Sequence, residues 1–150
     1  MSLYRVEKRE EPVVIYMSDG MVVEGVIFLS DFSHLHSGKQ TALEMLREEE
    51  PFFPLRDQHG TFKLIKKSLI THVQQHEGAE VPEHYGKEVE VTLTFIAGES
   101  LRGKVLLNMP EGKNRIQDFI NSSPGFFSLN VSGRPYIANG SLVRELIPQP

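Results

Sequence analysis

The chain has 150 residues, of which 39% are hydrophobic and 24% charged, with a formal net charge of −4. This balance is ordinary for a globular domain and argues against nucleic-acid binding, which needs a basic surface. The absence of cysteine excludes disulfides, thiolate metal sites and a cysteine nucleophile. No apolar run approaches the roughly 18 residues of a membrane-spanning helix, and the charged N-terminus lacks the apolar segment of a secretory signal. The sequence therefore predicts a cytoplasmic protein without a membrane partner.

The first part of the chain predicts an exposed arm, a hairpin, a short helix and three further strands. The arm covers residues 1–12, and the dipeptide Asp19-Gly20 is a strong signal for a hairpin turn. Thr41 and Glu44 have the spacing of a capping box, which starts a helix that a proline ends. The predicted strands are 13–17, 22–29, 52–56, 61–65 and 69–74.

The second part predicts the same elements in the same order. Apolar and polar side chains alternate over residues 87–96, as they do in a half-buried antiparallel strand. A three-residue loop at 97–99 would place Val91 opposite Val105 in a second hairpin. The second helix has its apolar residues at i, i+3 and i+4, which places them on one face. These residues are Ile116, Phe119 and Ile120, and strands follow over 126–131, near 136 and over 142–147.

Three segments of the first part align with three segments of the second. Thr41–Leu55 aligns with Arg115–Leu129 without a gap, and shorter matches lie on both sides of it. These matches pair Gly20 and Gly25 with Gly98 and Gly103, and Ser68–Ile70 with Ser141–Val143. Agreement on both sides of the helix indicates an internal repeat rather than chance.

We therefore predict an α+β, mostly β protein built by tandem duplication of a ββαβββ unit. The two units would form small barrel-like or roll halves related by a pseudo-twofold axis. The predicted boundaries are an N-terminal arm at 1–12, repeat 1 at 13–76, a linker at 77–86 and repeat 2 at 87–150.

The first hairpin is apolar on both of its faces, unlike the second. Its outward side chains include Tyr16, Val26 and Phe28, whereas the second hairpin is charged on that face. Because contiguous exposed apolar patches are uncommon on monomers, something should cover this one. The second repeat, a second subunit and a ligand are the three alternatives, so the chain is expected to pair with itself as a homodimer or with another protein.

The histidines are the sharpest candidates for chemistry. His34 and His36 lie at i, i+2 and could share a metal ion, with Asp31 or His72 completing the site, whereas the simpler interpretation is a solvent-exposed loop. Repeat 2 contains no histidine, so a metal cannot be a function that both repeats share. His72, His76 and His84 are expected to be exposed. No catalytic residue and no cofactor are assigned.

The second helix and the strands after it resemble an uncharacterised bacterial family. Its members carry an R-x-x-D-F-(L/I)-N helix followed by an F-(L/F)-x-L strand. The matching residues are Arg115, Asp118, Phe119, Ile120, Asn121, Phe126, Phe127 and Leu129, and repeat 1 matches them only partly. The strand content is also similar to Sm-like barrels, which bind RNA, although here the helix follows the second strand. The first resemblance implies no activity.

These observations predict a non-catalytic binding or assembly module of the bacterial cytosol. One alternative is an RNA- or nucleotide-binding module of the Sm-like kind. Another is a metal-dependent hydrolase that uses the histidine cluster of repeat 1.

Overall fold

A computed structural model describes residues 8–33, 38–79, 86–107, 116–122 and 125–149. Residues 8–79 are called the first half below, and residues 86–149 the second half. Most of the described residues lie in strands, which confirms the predicted mostly-β class. The strands are β1 Lys8–Met17, β2 Val22–Ser30, β3 Phe52–Asp57, β4 Phe62–Lys66, β5 Ile70–Gln75, β6 Lys87–Phe95, β7 Ser100–Leu107, β8 Phe126–Val131, β9 Arg134–Asn139 and β10 Val143–Pro148. The helices are α1 Ala42–Arg47 and α2 Ile116–Ser122, and short 3-10 turns occupy Lys67–Leu69 and Gly140–Leu142.

The strands form one open antiparallel sheet in the order β10-β6-β7-β8-β9-β5-β1-β2-β3-β4. Each half contributes five neighbouring strands, and both halves arrange their strands in the same order: fifth, first, second, third, fourth. The halves meet where β9 pairs with β5. A twofold axis at this junction would pair like strands, so the junction does not follow the predicted pseudo-twofold axis. The duplication and the barrel-like halves stay predictions.

Both hairpins differ from the predicted pairing by a shift of two residues. Val91 lies opposite Gly103 rather than Val105, and Val13 lies opposite Gly25. The reason is the position of the turn: the Phe95 N–H donates to the Glu99 oxygen at 2.9 Å, so the loop between paired residues is 96–98 rather than 97–99. A shift of two keeps every side chain on its predicted face. The inward residues are accordingly buried: Val13, Ile15, Val23, Ile27, Val91, Leu93, Phe95 and Val105.

The first strand begins earlier than predicted. Lys8 lies opposite Ser30 in the β1–β2 pair, so residues 8–12 belong to the sheet and not to an exposed arm. The side chains of Arg9 and Glu11 form an ion pair at 3.0 Å on this extension. Arg9 also donates to the Ser30 carbonyl oxygen at 2.6 Å, which ties the start of β1 to the end of β2.

Glycine allows the third strand of each half to cross the second closely. A Cβ on Gly103 would lie 2.7 Å from the Asn130 carbonyl oxygen, and one on Gly25 would lie closer still to the Arg56 carbonyl oxygen. Real Cβ atoms do not approach backbone oxygens so closely. A side chain at either position would therefore push two strands apart.

Helix α1 has the predicted capping box. The Glu44 N–H donates to the Thr41 side chain at 3.1 Å, and the Thr41 N–H donates to the Glu44 carboxylate at 3.3 Å. The helix ends at Arg47, before the predicted end near residue 50, since the backbone at Glu48 is already extended. Lys67 Nζ donates to the Met45 and Glu48 carbonyl oxygens at 2.9 and 3.0 Å, and burial lowers the pKa of Lys67.

Buried side chains form two separate clusters, one in each half. The second-half cluster includes Leu93, Phe95, Phe127 and Leu129. The first-half cluster contains two residues of the second half, Phe126 and Ile137. The first core is therefore completed by side chains that lie far along the chain.

Neither described helix approaches the length needed to cross a lipid bilayer.

Candidate assembly surface

The halves meet at a short antiparallel pair formed by β5 and β9. The face of the sheet that lines the core in one half is the face turned away from the core in the other half. Val73 of β5 lies opposite Ile137 of β9, and Val73 also lies opposite Ile15 of β1. Residues opposite one another share a face of the sheet, so Ile137 points into the first core, where it is fully buried. In the next position, His72 lies opposite Ala138, which belongs to the second core. The second half therefore contributes Phe126 and Ile137 to the first core, whereas His72 of the first half lies opposite Ala138 of the second core.

His72 is the aromatic centre of this junction. Its ring stacks on Tyr16 at 4.2 Å between centroids and on Phe95 of the second half at 5.0 Å. Its Nδ1 lies 3.0 Å from the Thr71 hydroxyl, and burial lowers the pKa of His72 to about 4. The prediction that His72 is exposed is wrong, because only 6% of its surface is accessible.

Two polar contacts fasten the junction on either side of this stack. The Asn139 side-chain amide donates to the Ile70 carbonyl oxygen at 2.8 Å. The Arg47 guanidinium donates to the Phe126 carbonyl oxygen at 3.0 and 2.8 Å, which joins α1 to the start of β8. Burial lowers the pKa of Arg47.

The sheet has two edges, β4 and β10, whose outer sides pair with no other strand of the described residues. The Asp57 N–H donates to the Thr61 oxygen, and the Lys67 N–H donates to the Pro51 oxygen. Because backbone groups alternate between the two sides of a strand, the N–H and C=O of Leu64 face outward from β4. On β10, the Gln149 N–H donates to the Glu90 oxygen, so the backbone groups of Gln149 face β6. Leu146 lies three residues earlier, and by the same alternation its N–H and C=O face outward.

Both edges carry large exposed apolar side chains. At β3 and β4, 47% of Phe52, 63% of Phe62 and 64% of Leu64 are exposed. Half of Ile147 is exposed on β10. Apolar exposure of this kind on an edge strand favours pairing with a further strand.

A groove of about 310 Å³ lies beside β10, between that strand and α2. Its apolar lining consists of half-buried side chains, whereas the residues in the same places of the first half are buried. The lining residues include Ile116, Ile120, Val143 and Leu146.

The residues predicted to form a covered apolar face lie on the outer side of the first half. Tyr16 is covered by His72 of its own chain. Phe28 packs against Phe62, with ring centroids 6.1 Å apart, and the Arg56 guanidinium lies 5.8 Å from the Phe28 ring centre. Val26 is half-buried on the same face. Their role in contact with a partner stays a prediction.

The predicted histidine site is placed only in part. His34 and His36 lie outside the described residues. His72 is held between two aromatic rings, and within the described residues no three metal-ligating side chains converge.

Two basic side chains near the exposed aromatic residues are paired with carboxylates. Arg56 lies 2.7 Å from Glu10, and Lys63 lies 3.1 Å from Asp57. The backbone N–H groups of Thr61 and His59 together with Lys63 hold the pKa of Asp57 below its usual value. This pairing reduces the positive potential available to a phosphate backbone.

Sequence reasoning missed the edge residues Phe52, Leu64 and Ile147. The available signal was the internal alignment, which matches Phe52 with Phe126 and, through the strands that follow, Leu64 with Ile137. It did not reveal that one member of each pair is buried and the other exposed.

The chain matches no protein-family model, no curated protein sequence and no solved structure.

Proposed function

We propose that this chain is a non-catalytic assembly module of the bacterial cytosol that associates with itself by adding strands at its open edges. The observation that carries the proposal is the state of β4 and β10. Each of these edges offers outward backbone groups and exposed apolar side chains within the described residues. Strand addition uses both, since main-chain hydrogen bonds supply affinity and side-chain contacts supply specificity.

The proposal includes the origin of the chain by tandem duplication. The shared strand order of the halves supports it, as do the 3-10 turns before β5 and β10. The close-approach glycines Gly25 and Gly103 occupy equivalent places in β2 and β7. Duplication would explain why the two outer edges of the sheet are unlike strands.

Protective features at both edges leave only the middle of each strand open. Natural sheets discourage uncontrolled pairing with prolines and lysines on edge strands. Pro148 lies at the end of β10, and Lys63 and Lys66 lie on β4. Leu64 lies between the two lysines of β4, and Leu146 lies two residues before Pro148 on β10. Both keep their backbone groups turned outward, which favours pairing with a specific strand over general aggregation.

The RNA-binding and hydrolase alternatives have less support. An RNA-binding face needs unpaired basic groups beside aromatic rings, whereas Arg56 and Lys63 are paired with Glu10 and Asp57. A metal site would need His72 free to turn, whereas its ring is stacked in the junction between the halves.

Sedimentation velocity over a wide range of protein concentration tests the proposal. The wild-type chain should associate as its concentration rises. Leu64→Pro should abolish the association, because proline removes the outward N–H while the exposed side chain and the inner hydrogen bonds tolerate the change.

Leu64→Met is the matched control, since it keeps both the N–H and the apolar character, and it should associate like the wild type. A wild-type chain that stays monomeric at every concentration would overturn the proposal. So would association that Leu64→Pro leaves intact while circular dichroism shows the variant folded.

A further inference from the structure

We propose that the partner at these edges is a second copy of this chain, added head to tail. In this arrangement β4 of one copy pairs with β10 of the next, in the register that joins β9 to β5 within the chain. This inference rests on the proposed function, because it specifies which open edges pair with each other and in which register.

The internal junction supplies the template. Phe126 and Ile137 of the second half fill the first core beside α1 and β5, and only 7% and 0% of their surfaces remain exposed. The residues of α1 and β5 that correspond to the groove-lining residues of the second half are all buried: Ala42, Leu46, Ile70 and Val73.

The first half carries a phenylalanine and a leucine in the equivalent places, but both are exposed. Phe52 lies opposite the last residue of β4, as Phe126 lies opposite the last residue of β9. Leu64 lies two residues before the end of β4, in the place that Ile137 holds in β9. Yet 47% of Phe52 and 64% of Leu64 are exposed. These two side chains match a pair that is buried at the internal junction.

The second half carries the matching receptor, unfilled by any described residue. Ile116 and Ile120 of α2 and Val143 and Leu146 of β10 hold the places of the buried first-half residues named above. All four are only half-buried, and they line the groove of about 310 Å³. An apolar groove at one end of the sheet therefore corresponds to two apolar side chains at the other end.

The backbone agrees with this pairing. Transferring the β5–β9 register places Leu64 of one copy opposite Leu146 of the next, and Lys63 opposite Ile147. Leu64 and Leu146 are the residues whose N–H and C=O face outward, so the pair can form two main-chain hydrogen bonds. Pro148, which has no N–H, falls beyond the transferred pairs.

Head-to-tail addition fits these edges better than a twofold dimer. A twofold contact at β4 would set two Leu64 side chains against each other and would leave the β10 groove empty. Head-to-tail contacts join unlike surfaces, so they close into a ring or continue as a filament.

Mixing two single-cysteine variants tests the arrangement, because the natural chain contains no cysteine. The variants are Lys63→Cys and Ile147→Cys, whose positions lie opposite each other in the transferred register. Directly opposite residues in an antiparallel pair are close enough for a disulfide. Under mild oxidation, a covalent dimer should form when the two variants are mixed and should be absent from each variant alone.

Each outcome decides between the inference and the proposed function. Dimers within a single-variant sample would indicate a twofold contact and would overturn head-to-tail addition while leaving the assembly module intact. Association of the wild type without cross-linking in any sample would do the same. A wild-type chain that does not associate, together with cysteine variants that do not cross-link in any sample, would overturn both.

A second pair of variants tests the predicted entry of Leu64 into the groove. Leu64→Asp should weaken association about tenfold or more, because it places a carboxylate against an apolar lining. Phe32→Asp is the control, since Phe32 is 78% exposed and lies in the turn after β2, outside the transferred pairs. Equal association of both variants would overturn the inference.

Discussion

Protonation of His72 is expected to destabilise the fold, because this ring is buried between Tyr16 and Phe95 at the junction of the halves. Burial lowers the pKa of His72 from 6.5 to about 4. The unfolded chain then binds a proton at pH values where the folded chain does not. The stability that depends on neutral His72 is therefore complete above about pH 6.5 and is lost progressively as the pH falls towards 4.

The size of the effect follows from the two pKa values. At about pH 5 the unfolded histidine is almost fully protonated, whereas the folded one is almost fully neutral. Linkage then gives a loss of about 2 kcal/mol relative to pH 7.5. For a chain of this length, the corresponding fall in Tm is about 4–8 °C.

His72→Phe separates this effect from the titration of other groups. Phenylalanine keeps an aromatic ring in the stack and cannot be protonated. Thermal unfolding of both proteins by circular dichroism should show a Tm difference that grows in favour of the variant between pH 7.5 and about pH 5. A difference that does not change with pH would refute the reasoning, since it would mean that His72 titrates alike in both states.

Two substitutions test the packing of the first half. Gly25→Ala should cost about 3 kcal/mol in the free energy of unfolding, because its Cβ would collide with the Arg56 carbonyl oxygen. Gly78→Ala meets only the His76 ring at ordinary distance and should leave Tm nearly unchanged, so equal Tm values for the two variants would contradict the reasoning. Thr41→Ala should cost about 1 kcal/mol by removing the capping hydrogen bond of α1, and chemical denaturation that shows no loss would count against that contact.

Period-two alternation predicted most of the buried hairpin residues, although Thr94, which it places on the outward face, is buried as well. It could not fix the register, because a shift of two residues leaves Val91 on the same face whether it meets Gly103 or Val105. Only the position of the turn distinguishes the two pairings. Local patterns were likewise sufficient for the capping box of Thr41 and Glu44, since both partners lie within one turn of helix.

The junction could not be predicted from local patterns. His72, an ordinary polar residue in a strand, is buried against Tyr16 of the first half and Phe95 of the second, and no local pattern reveals either contact. Ile137 is placed in the first core by the pairing of β9 with β5, two strands that lie far apart in the sequence. The candidate edge residues depend on the same long-range pairing, because it leaves β4 and β10 at the outside of the sheet.

The contribution of Phe126 and Ile137 to the first core has a consequence for biosynthesis. During translation, residues 8–79 are synthesised before Phe126 and Ile137. Until these two residues have been added, the part of the first core that they cover is exposed to solvent. Folding is then completed from the C-terminal side, once β8 and β9 arrive. A stalled or prematurely terminated product would expose that part of the core to the quality-control machinery of the cell, instead of surviving as a smaller stable protein.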